Sequence, residues 1–167
     1  IGFYTVPDKG DGSLKVMRSY QYYACEAINA RVDKAEWTLK DRLGGYICHT
    51  TGSGKTMTSF KSAQLISQSK KCDKVVFLID RIELGTQSAG EYRNFMDDRE
   101  EVQETEDTLT LISKLKSDNV ANNLIVTSIQ KMSNIRYDEG VNGHDIEKIN
   151  KKKIVFIVDE CHRSTFG

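Results

Sequence analysis

The chain has 167 residues, and 24 lysine and arginine side chains balance 24 aspartate and glutamate side chains. This length suits one domain with a sizeable core. The zero net charge excludes binding of nucleic acid through a global basic field, so any such contact must be local. The apolar runs are far shorter than the roughly 20 residues that cross a bilayer, so no membrane partner is expected. Four scattered cysteines without a C-x-x-C pair favour a reducing, intracellular setting.

The first predicted element in chain order is a helix. Residues 1–15 hold the only proline and several glycines, which predicts an irregular lead-in or linker before a domain over 16–167. A stripe of apolar residues with helical spacing then predicts a helix over about 17–31. Its members are Val16, Tyr20, Tyr23, Ala24, Ala27 and Ile28.

Four short apolar runs follow the helix, at residues 45–49, 74–80, 123–128 and 153–159. The last three are continuous and rich in β-branched residues, which is typical of strands covered on both faces in a parallel sheet. Segments with helical patterns separate the runs, at residues 54–67, 82–96 and 108–117. The predicted fold class is therefore α/β, with a mostly parallel sheet and helices on both of its faces.

The stretch HTTGSGKT, residues 49–56, follows the first predicted strand and opens a predicted helix. That is the context of a phosphate-binding loop, and we call this segment the phosphate loop. Gly52 and Gly54 permit backbone conformations that a Cβ would block. Successive amides and a helix N-terminus then hold phosphate oxygens. Lys55 can reach the β and γ phosphates, and the Thr56 hydroxyl can bind Mg²⁺.

The phosphate loop departs from the G-x-x-x-x-G-K-[ST] pattern at its first position, where His49 replaces glycine. The amides that hold the phosphates come later in the loop, so this replacement leaves the cradle intact. The sequence therefore predicts binding of ATP with Mg²⁺. The loop residues assigned to this nucleotide are Thr50, Thr51, Gly52, Ser53, Gly54, Lys55 and Thr56.

Two adjacent carboxylates, Asp159 and Glu160, end the last predicted strand. In P-loop enzymes an aspartate at such a strand end holds Mg²⁺, and Asp159 fits that role. Glu160 is then placed to orient and activate the attacking water. Two predicted strands intervene between the phosphate loop and these acids. That order suits the ATPases with an additional strand, which include the RecA-like motors.

Cys161 and His162 follow the two acids directly. Adjacent side chains of an extended chain point to opposite faces, which disfavours a thiol nucleophile with its imidazole base. Together with Cys48 and His49 they would give a Cys₂His₂ set for zinc. Neither pair has the C-x₂₋₄-C or H-x₃₋₅-H spacing of a structural zinc site, so zinc is the weaker alternative to magnesium.

The strings VDECHRSTFG, GGYICHTTGSGKTMTSF, VVFLIDRIELGTQ and LIVTSIQKM resemble the motor (R) subunit of type I restriction enzymes. DECH is similar to the DEAH box of superfamily-2 helicases and translocases. The resemblance covers residues 16–167 and implies the first RecA-like ATP-binding motor domain, incomplete at its C-terminal end. It implies that the nuclease domain and the second motor domain lie outside this chain. It also implies a cytoplasmic protein of a bacterium or archaeon.

The resemblance implies partners, namely double-stranded DNA and the modification and specificity subunits of the same complex. Arg18 and Gln21 resemble the upstream element that reads adenine, and His162 would couple hydrolysis to movement. The chain alone would hydrolyse ATP slowly, because a transition-state arginine supplied by another domain is worth on the order of 10³–10⁵ in rate. Two segments resemble elements that contact the DNA backbone. Their candidate residues are Arg81 and Gln87 in the first and Thr127, Ser128, Gln130 and Lys131 in the second.

Two other functions stay open from the sequence. One is another superfamily-2 motor, such as a remodeller or an RNA helicase, which RNA and not duplex DNA would stimulate. The other is a non-catalytic, nucleotide-gated scaffold. The presence of Glu160 beside Asp159 argues against a scaffold, because a protein that only binds nucleotide does not need the second acid.

Overall fold

The computed structural model describes residues 2–35, 37, 44–50, 52–79, 94–95, 103–104, 107–135 and 142–158. Its centre is a parallel sheet with the strand order β4-β5-β3-β6. The strands are β3 (Lys74–Ile79), β4 (Gln103–Glu104), β5 (Leu124–Ser128) and β6 (Ile154–Val158). The predicted α/β class and the last three predicted strands are therefore confirmed.

Helices cover both faces of this sheet. Because side chains alternate along a strand, Val75 of β3 faces a cluster with Ala63 and Ile66, whereas Val76 faces a cluster with Leu111 and Leu115. None of the described helices combines the length and apolar character needed to cross a bilayer. The helices are α1 (Ser19–Asp33), α2 (Lys55–Gln68), α3 (Thr108–Lys116), α4 (Ile129–Asn134) and α5 (Gly143–Asn150).

The N-terminal segment is an ordered hairpin. Strands β1 (Thr5–Asp8) and β2 (Ser13–Val16) pair antiparallel, after a 3-10 turn at Gly2–Tyr4. Val6 is 1% exposed and packs in one cluster with Phe60 and Phe77. The prediction of an irregular lead-in over 1–15 was therefore wrong locally. Each strand has only four residues, too few for an alternation to be recognised in the sequence, and Val6 packs β1 against the core.

The first helix exists, but its buried face differs from the predicted stripe. Its buried residues are Gln21 and Cys25, and Ile28 and Val32 pack against the core from the same side. Tyr20 and Tyr23 are 41% and 68% exposed, so the predicted stripe was wrong for these two residues, whereas its member Ile28 does pack against the core. Tyrosine is amphipathic and can lie at the surface, whereas a glutamine can be buried once its amide is hydrogen-bonded.

The predicted strand over 45–49 does not form, since residues 44–50 lie outside every strand. Tyr46 and Ile47 are 86% and 42% exposed. A strand is stable only when its backbone pairs with a neighbour, and among the described residues none pairs with this segment. Strand β6 ends the described sheet, and Phe156 and Val158 are 46% and 38% exposed there.

Candidate nucleotide-binding site

The phosphate loop enters α2 through two glycines with left-handed backbone. Gly52 has φ +74° and Gly54, the N-cap of α2, has φ +79°. A Cβ at Gly54 would lie 2.5 Å from Gln21 Nε2, whereas a Cβ at Gly52 would meet nothing within 4 Å. Position 54 therefore favours glycine for its backbone conformation, and a Cβ there would also displace the end of the Gln21 side chain. Amides of such a loop and of the α2 N-terminus can receive phosphate oxygens.

Ser53 is held by hydrogen bonds at its main chain and its side chain. Its amide and its hydroxyl both donate to the Thr50 carbonyl, at 3.2 and 2.7 Å. Its hydroxyl lies 3.0 Å from His49 Nδ1. Its carbonyl accepts from the Tyr20 hydroxyl at 2.8 Å and from Gln21 Nε2 at 3.2 Å. Ser53, in the middle of the phosphate loop, is therefore tied both to α1 and to the start of the loop.

Gln21 connects α1 to the phosphate loop. Its Oε1 accepts from the Arg18 amide at 2.8 Å, and its Nε2 donates to the carbonyls of Ser53 and Gly54. The side chain is 2% exposed. The role predicted for Gln21, adenine recognition, stays a prediction, and the contacts seen for its amide go to the protein backbone.

A cleft of about 590 Å³ opens beside the loop. Tyr20 and His49 form part of its wall, with ring centroids 6.0 Å apart and planes tilted by 58°. Arg18 lies in the wall of this cleft, and its predicted role in adenine recognition stays a prediction. The lining residues are Arg18, Tyr20, Ala24, Ile47, Cys48, His49, Thr50, Gly52 and Ser53.

The packing of α1 on α2 sets the position of this cleft. Cys25 of α1 is fully buried, donates from Sγ to the Thr58 carbonyl at 3.5 Å, and accepts from the Ser62 hydroxyl at 3.2 Å. Burial raises the pKa of the Cys25 thiol, so the group stays protonated and packs as a small neutral side chain. The N-terminal turn of α1 consequently lies over the phosphate loop.

Lys55 and Thr56 occupy the first turn of α2, and both are half-buried. Met57, the next residue, packs against the same core cluster as Ile157 of β6. Ile157 lies two residues before Asp159 in the sequence, and Asp159 itself lies outside the described residues. A threonine hydroxyl with an aspartate is an oxygen donor set that suits Mg²⁺.

Several predicted site residues lie outside the described residues, and their roles stay predictions. Among them are the two acids and the predicted coupling histidine. The complete set is Thr51, Arg81, Gln87, Asp159, Glu160 and His162. Cys161 of the zinc alternative is also outside, and no group of three or more His, Cys, Asp or Glu that could hold a metal occurs within the described part of the chain.

The predicted backbone-contact element at 127–131 forms the junction of β5 and α4. Thr127 and Ser128 are both 4% exposed, and the Ser128 hydroxyl accepts from the Lys131 amide at 3.2 Å as the N-cap of α4. Gln130 is exposed and Lys131 is half-buried. Any direct DNA contact from this element would therefore come from Gln130 and Lys131, with Ser128 holding the turn.

Tyr20 and His49 are the site residues that the sequence reasoning missed. Tyr20 was assigned to an apolar stripe, and His49 only to a replaced glycine and to the zinc alternative. The available signal was position, because Tyr20 adjoins the expected adenine element and His49 precedes Ser53 by four residues.

Comparison with known proteins gives two concordant results. The sequence profile of the SWI2/SNF2 ATPases matches residues 20–167. An endonuclease subunit of a type I restriction enzyme from Staphylococcus aureus is 42% identical over 167 residues. The chain is matched over its whole length and covers 17% of that relative.

Two further relatives are also named as type I restriction enzyme endonuclease subunits. The C-terminal part of a putative type I restriction enzyme endonuclease subunit from Mycoplasma pneumoniae is 42% identical over 163 residues, which are 95% of this chain and 77% of that protein. A putative type I restriction enzyme endonuclease subunit from Methanocaldococcus jannaschii is 28% identical over 153 residues, which are 89% of this chain and 14% of that protein.

Proposed function

The chain belongs to the SWI2/SNF2 ATPase family and to the endonuclease subunits of type I restriction enzymes, and from this we propose that it is an ATP-driven motor segment. In this proposal it is most of the first RecA-like domain of a restriction (R) subunit. The motor moves double-stranded DNA and thereby drives cleavage by a nuclease domain of the same subunit. The modification and specificity subunits are its partners in the complex.

The observation that carries the proposal is the phosphate loop held between α1 and α2. Gly52 and Gly54 have the left-handed backbone that the loop requires. Tyr20 and Gln21 of α1 both donate hydrogen bonds to the Ser53 carbonyl, which ties this residue of the loop to the helix. A preformed set of amides at a helix N-terminus suits a polyphosphate, and a pocket that accepts only a neutral ligand would not need it.

The proposed chemistry is water attack on the γ phosphate. Lys55 and the loop amides bind the phosphates, and Thr56 and Asp159 would hold Mg²⁺. When bound, Mg²⁺ neutralises charge that develops on the phosphate oxygens. Glu160 orients the attacking water and takes its proton. His162 passes the change in the site to the second motor domain.

The DNA contacts in this proposal lie on the two segments at 81–87 and 127–131. Gln130 and Lys131 contact backbone phosphates, and Ser128 keeps the turn that presents them. Such contacts hold DNA without reading its sequence, as a translocating motor requires. Sequence recognition belongs to the specificity subunit.

The test is DNA-stimulated ATP hydrolysis by the full-length subunit assembled with its partner subunits. Lys55→Ala and Glu160→Gln should each lower the turnover by about 10² or more, because each removes a group that acts on the transition state. Lys151→Ala, at an exposed lysine beyond α5, is the matched control and should keep the wild-type rate. Unchanged turnover in either site variant, or stimulation by RNA in place of duplex DNA, contradicts the proposal.

A further inference from the structure

His49 has an environment that the phosphate-loop pattern does not explain. A glycine normally stands at this position, and a glycine has no side chain to contribute. Here the imidazole lies against Ser53, with Nδ1 3.0 Å from Oγ. Its other nitrogen, Nε2, is buried and has no hydrogen-bond partner among the described residues. An unpartnered buried nitrogen costs free energy, so the ring needs another reason to be there.

The hydrogen positions follow from the partners of Ser53. The hydroxyl carries one hydrogen, and it goes to the Thr50 carbonyl at 2.7 Å because a carbonyl can only accept. The Ser53 oxygen must therefore accept from His49, and Nδ1 carries a hydrogen. In the neutral ring Nε2 is then the bare acceptor. Only one of the two ring nitrogens makes a bond that acts on the loop.

Ser53 is thereby bound from two sides. On the α1 side its carbonyl accepts from Tyr20 and Gln21. On the other side His49 donates to its hydroxyl, and that hydroxyl closes the turn onto Thr50. Without the His49 donor the Ser53 hydroxyl keeps its own hydrogen bond to the Thr50 carbonyl at 2.7 Å, but its oxygen loses the contact that fixes the side chain from His49.

We propose that the Nδ1–H group of His49 is a positioning donor for ATP binding. It holds the Ser53 hydroxyl on the Thr50 carbonyl and so keeps the phosphate loop in the shape that receives the phosphates. This role rests on the function proposed above. In this role His49 acts through Ser53 and needs no contact with a phosphate.

Substitution of His49 by asparagine or by glutamine distinguishes the effect of the Nδ1–H donor from the effect of the imidazole ring as a whole. Asparagine places its amide nitrogen where Nδ1 stands, whereas glutamine places it near Nε2. His49→Asn therefore keeps the bond to Ser53 and removes the unpartnered Nε2. His49→Gln keeps a side chain longer than asparagine but has no donor at the Nδ1 position. His49→Ala loses both the long side chain and the donor.

The experiment measures binding of a ribose-labelled fluorescent ATP, with Mg²⁺, to the full-length subunit. His49→Ala and His49→Gln should each weaken binding about tenfold, the change that loss of one hydrogen bond brings. His49→Asn should stay within about threefold of wild type. In the Ser53→Ala background His49→Ala should bring no further loss, because the acceptor is already gone. His144→Asn, at an exposed histidine of α5, is the matched control.

Equal weakening by asparagine and glutamine, or wild-type binding in all three His49 variants, overturns the positioning role. So does a full further loss from His49→Ala in the Ser53→Ala background. If His49→Ala does not fold, the comparison of His49→Asn with His49→Gln decides alone. Lys55→Ala in the same assay separates the two proposals: unchanged binding there refutes the proposed function, whereas weakened binding there with no effect at His49 refutes only this inference.

Discussion

Gln21 Nε2 lies 3.3 Å from the main-chain oxygen of Gly54, so the first turn of α1 is joined to the N-cap of α2. The same nitrogen lies 2.5 Å from the position that a Cβ at Gly54 would take. The contact therefore requires two things of the sequence at once, an amide at position 21 and no side chain at position 54.

Gly54→Ala should weaken ATP binding by the full-length subunit more than Gly52→Ala does. Alanine at φ +79° costs about 1–2 kcal/mol, and its Cβ must in addition displace Gln21. Gly52→Ala is the matched control, because it has φ +74° and open space around the Cβ. We expect it to weaken binding by about tenfold, from backbone strain alone.

The double variant Gln21→Ala with Gly54→Ala isolates the steric part of this effect. Removal of the Gln21 amide leaves room for the Cβ, so the double variant should bind ATP better than Gly54→Ala alone. The coupling between the two positions is measured by fluorescence titration of ATP binding to the wild type, the two single variants and the double variant. Strictly additive losses would show that the contact does not matter for the loop.

Thiol labelling should distinguish the cysteines of this chain. Cys48 is exposed beside the cleft, whereas Cys25 and Cys72 are 0% and 7% exposed. Burial also raises the pKa of Cys72 to about 11, which keeps it protonated and unreactive. In a Cys161→Ser background, Cys48 should react with an aromatic disulfide reagent at least tenfold faster than the other two.

ATP with Mg²⁺ should slow the reaction of Cys48, because the proposed base position lies in the cleft that Cys48 lines. Mass spectrometry of the labelled peptides identifies the site. AMP at the same concentration is the control for weak binding. Equal labelling rates with and without ATP would place the nucleotide elsewhere.

Lys74 should give the folding stability a measurable pH dependence. Its side chain is 1% exposed and donates to the Asn122 carbonyl at 3.0 Å. Burial, and then the nearby charge of Lys152, lowers its pKa to about 8. Between pH 8 and about 10 the unfolded chain holds a proton that the folded chain has released. The free energy of unfolding should therefore rise with pH in that window, and below pH 8 the folded chain bears the full cost of the buried charge.

Lys74→Met should remove this rise, which urea unfolding at several pH values measures as a change in slope of up to about 1.4 kcal/mol per pH unit. Lys151→Met is the control at an exposed lysine and should keep the wild-type slope. A Lys74→Met protein with the wild-type slope would show that Lys74 titrates as an exposed lysine.

Variants at Ser128 and Lys131 should show which of the two residues stabilises the fold and which contacts DNA. Ser128→Ala removes the N-cap of α4 and should cost about 1 kcal/mol of stability, measured by urea unfolding. Lys131→Ala keeps the main-chain amide that the cap uses. It should instead lower DNA affinity. The slope of the logarithm of the binding constant against the logarithm of the salt concentration should become shallower by about 1, since one phosphate contact is lost. Ser133→Ala, at an exposed position of α4, is the control.

The strands of the sheet were predictable because strands that are buried on both faces consist almost entirely of apolar residues. Val75, Val76 and Phe77 are fully buried, and an uninterrupted apolar run is what two covered faces require. The run at 45–49 has only one β-branched residue, Ile47, and forms no strand. A short apolar segment does not specify its partner, and strand formation depends on pairing with residues elsewhere in the chain.

The phosphate loop of the candidate site was predictable from the sequence, but the side chains that form hydrogen bonds to it were not. G-K-T with a preceding glycine indicates a phosphate loop, because few other backbones need that pattern. Tyr20, Gln21 and His49 act through hydrogen bonds to loop carbonyls and a hydroxyl. No periodicity encodes such bonds, since they depend on how α1 packs against α2. A buried glutamine in place of an apolar residue was the one local sign of this arrangement.

The outer edge of β6 has a practical consequence for anyone who purifies the 167-residue chain by itself. Among the described residues no strand pairs with that edge, and Phe156 and Val158 are exposed beside it. An unpaired strand edge with exposed apolar side chains is the kind of surface to which a strand of another copy can add. Handling should therefore improve with low protein concentration, or with a lysine introduced at Phe156 or Val158 to make edge-to-edge stacking unfavourable.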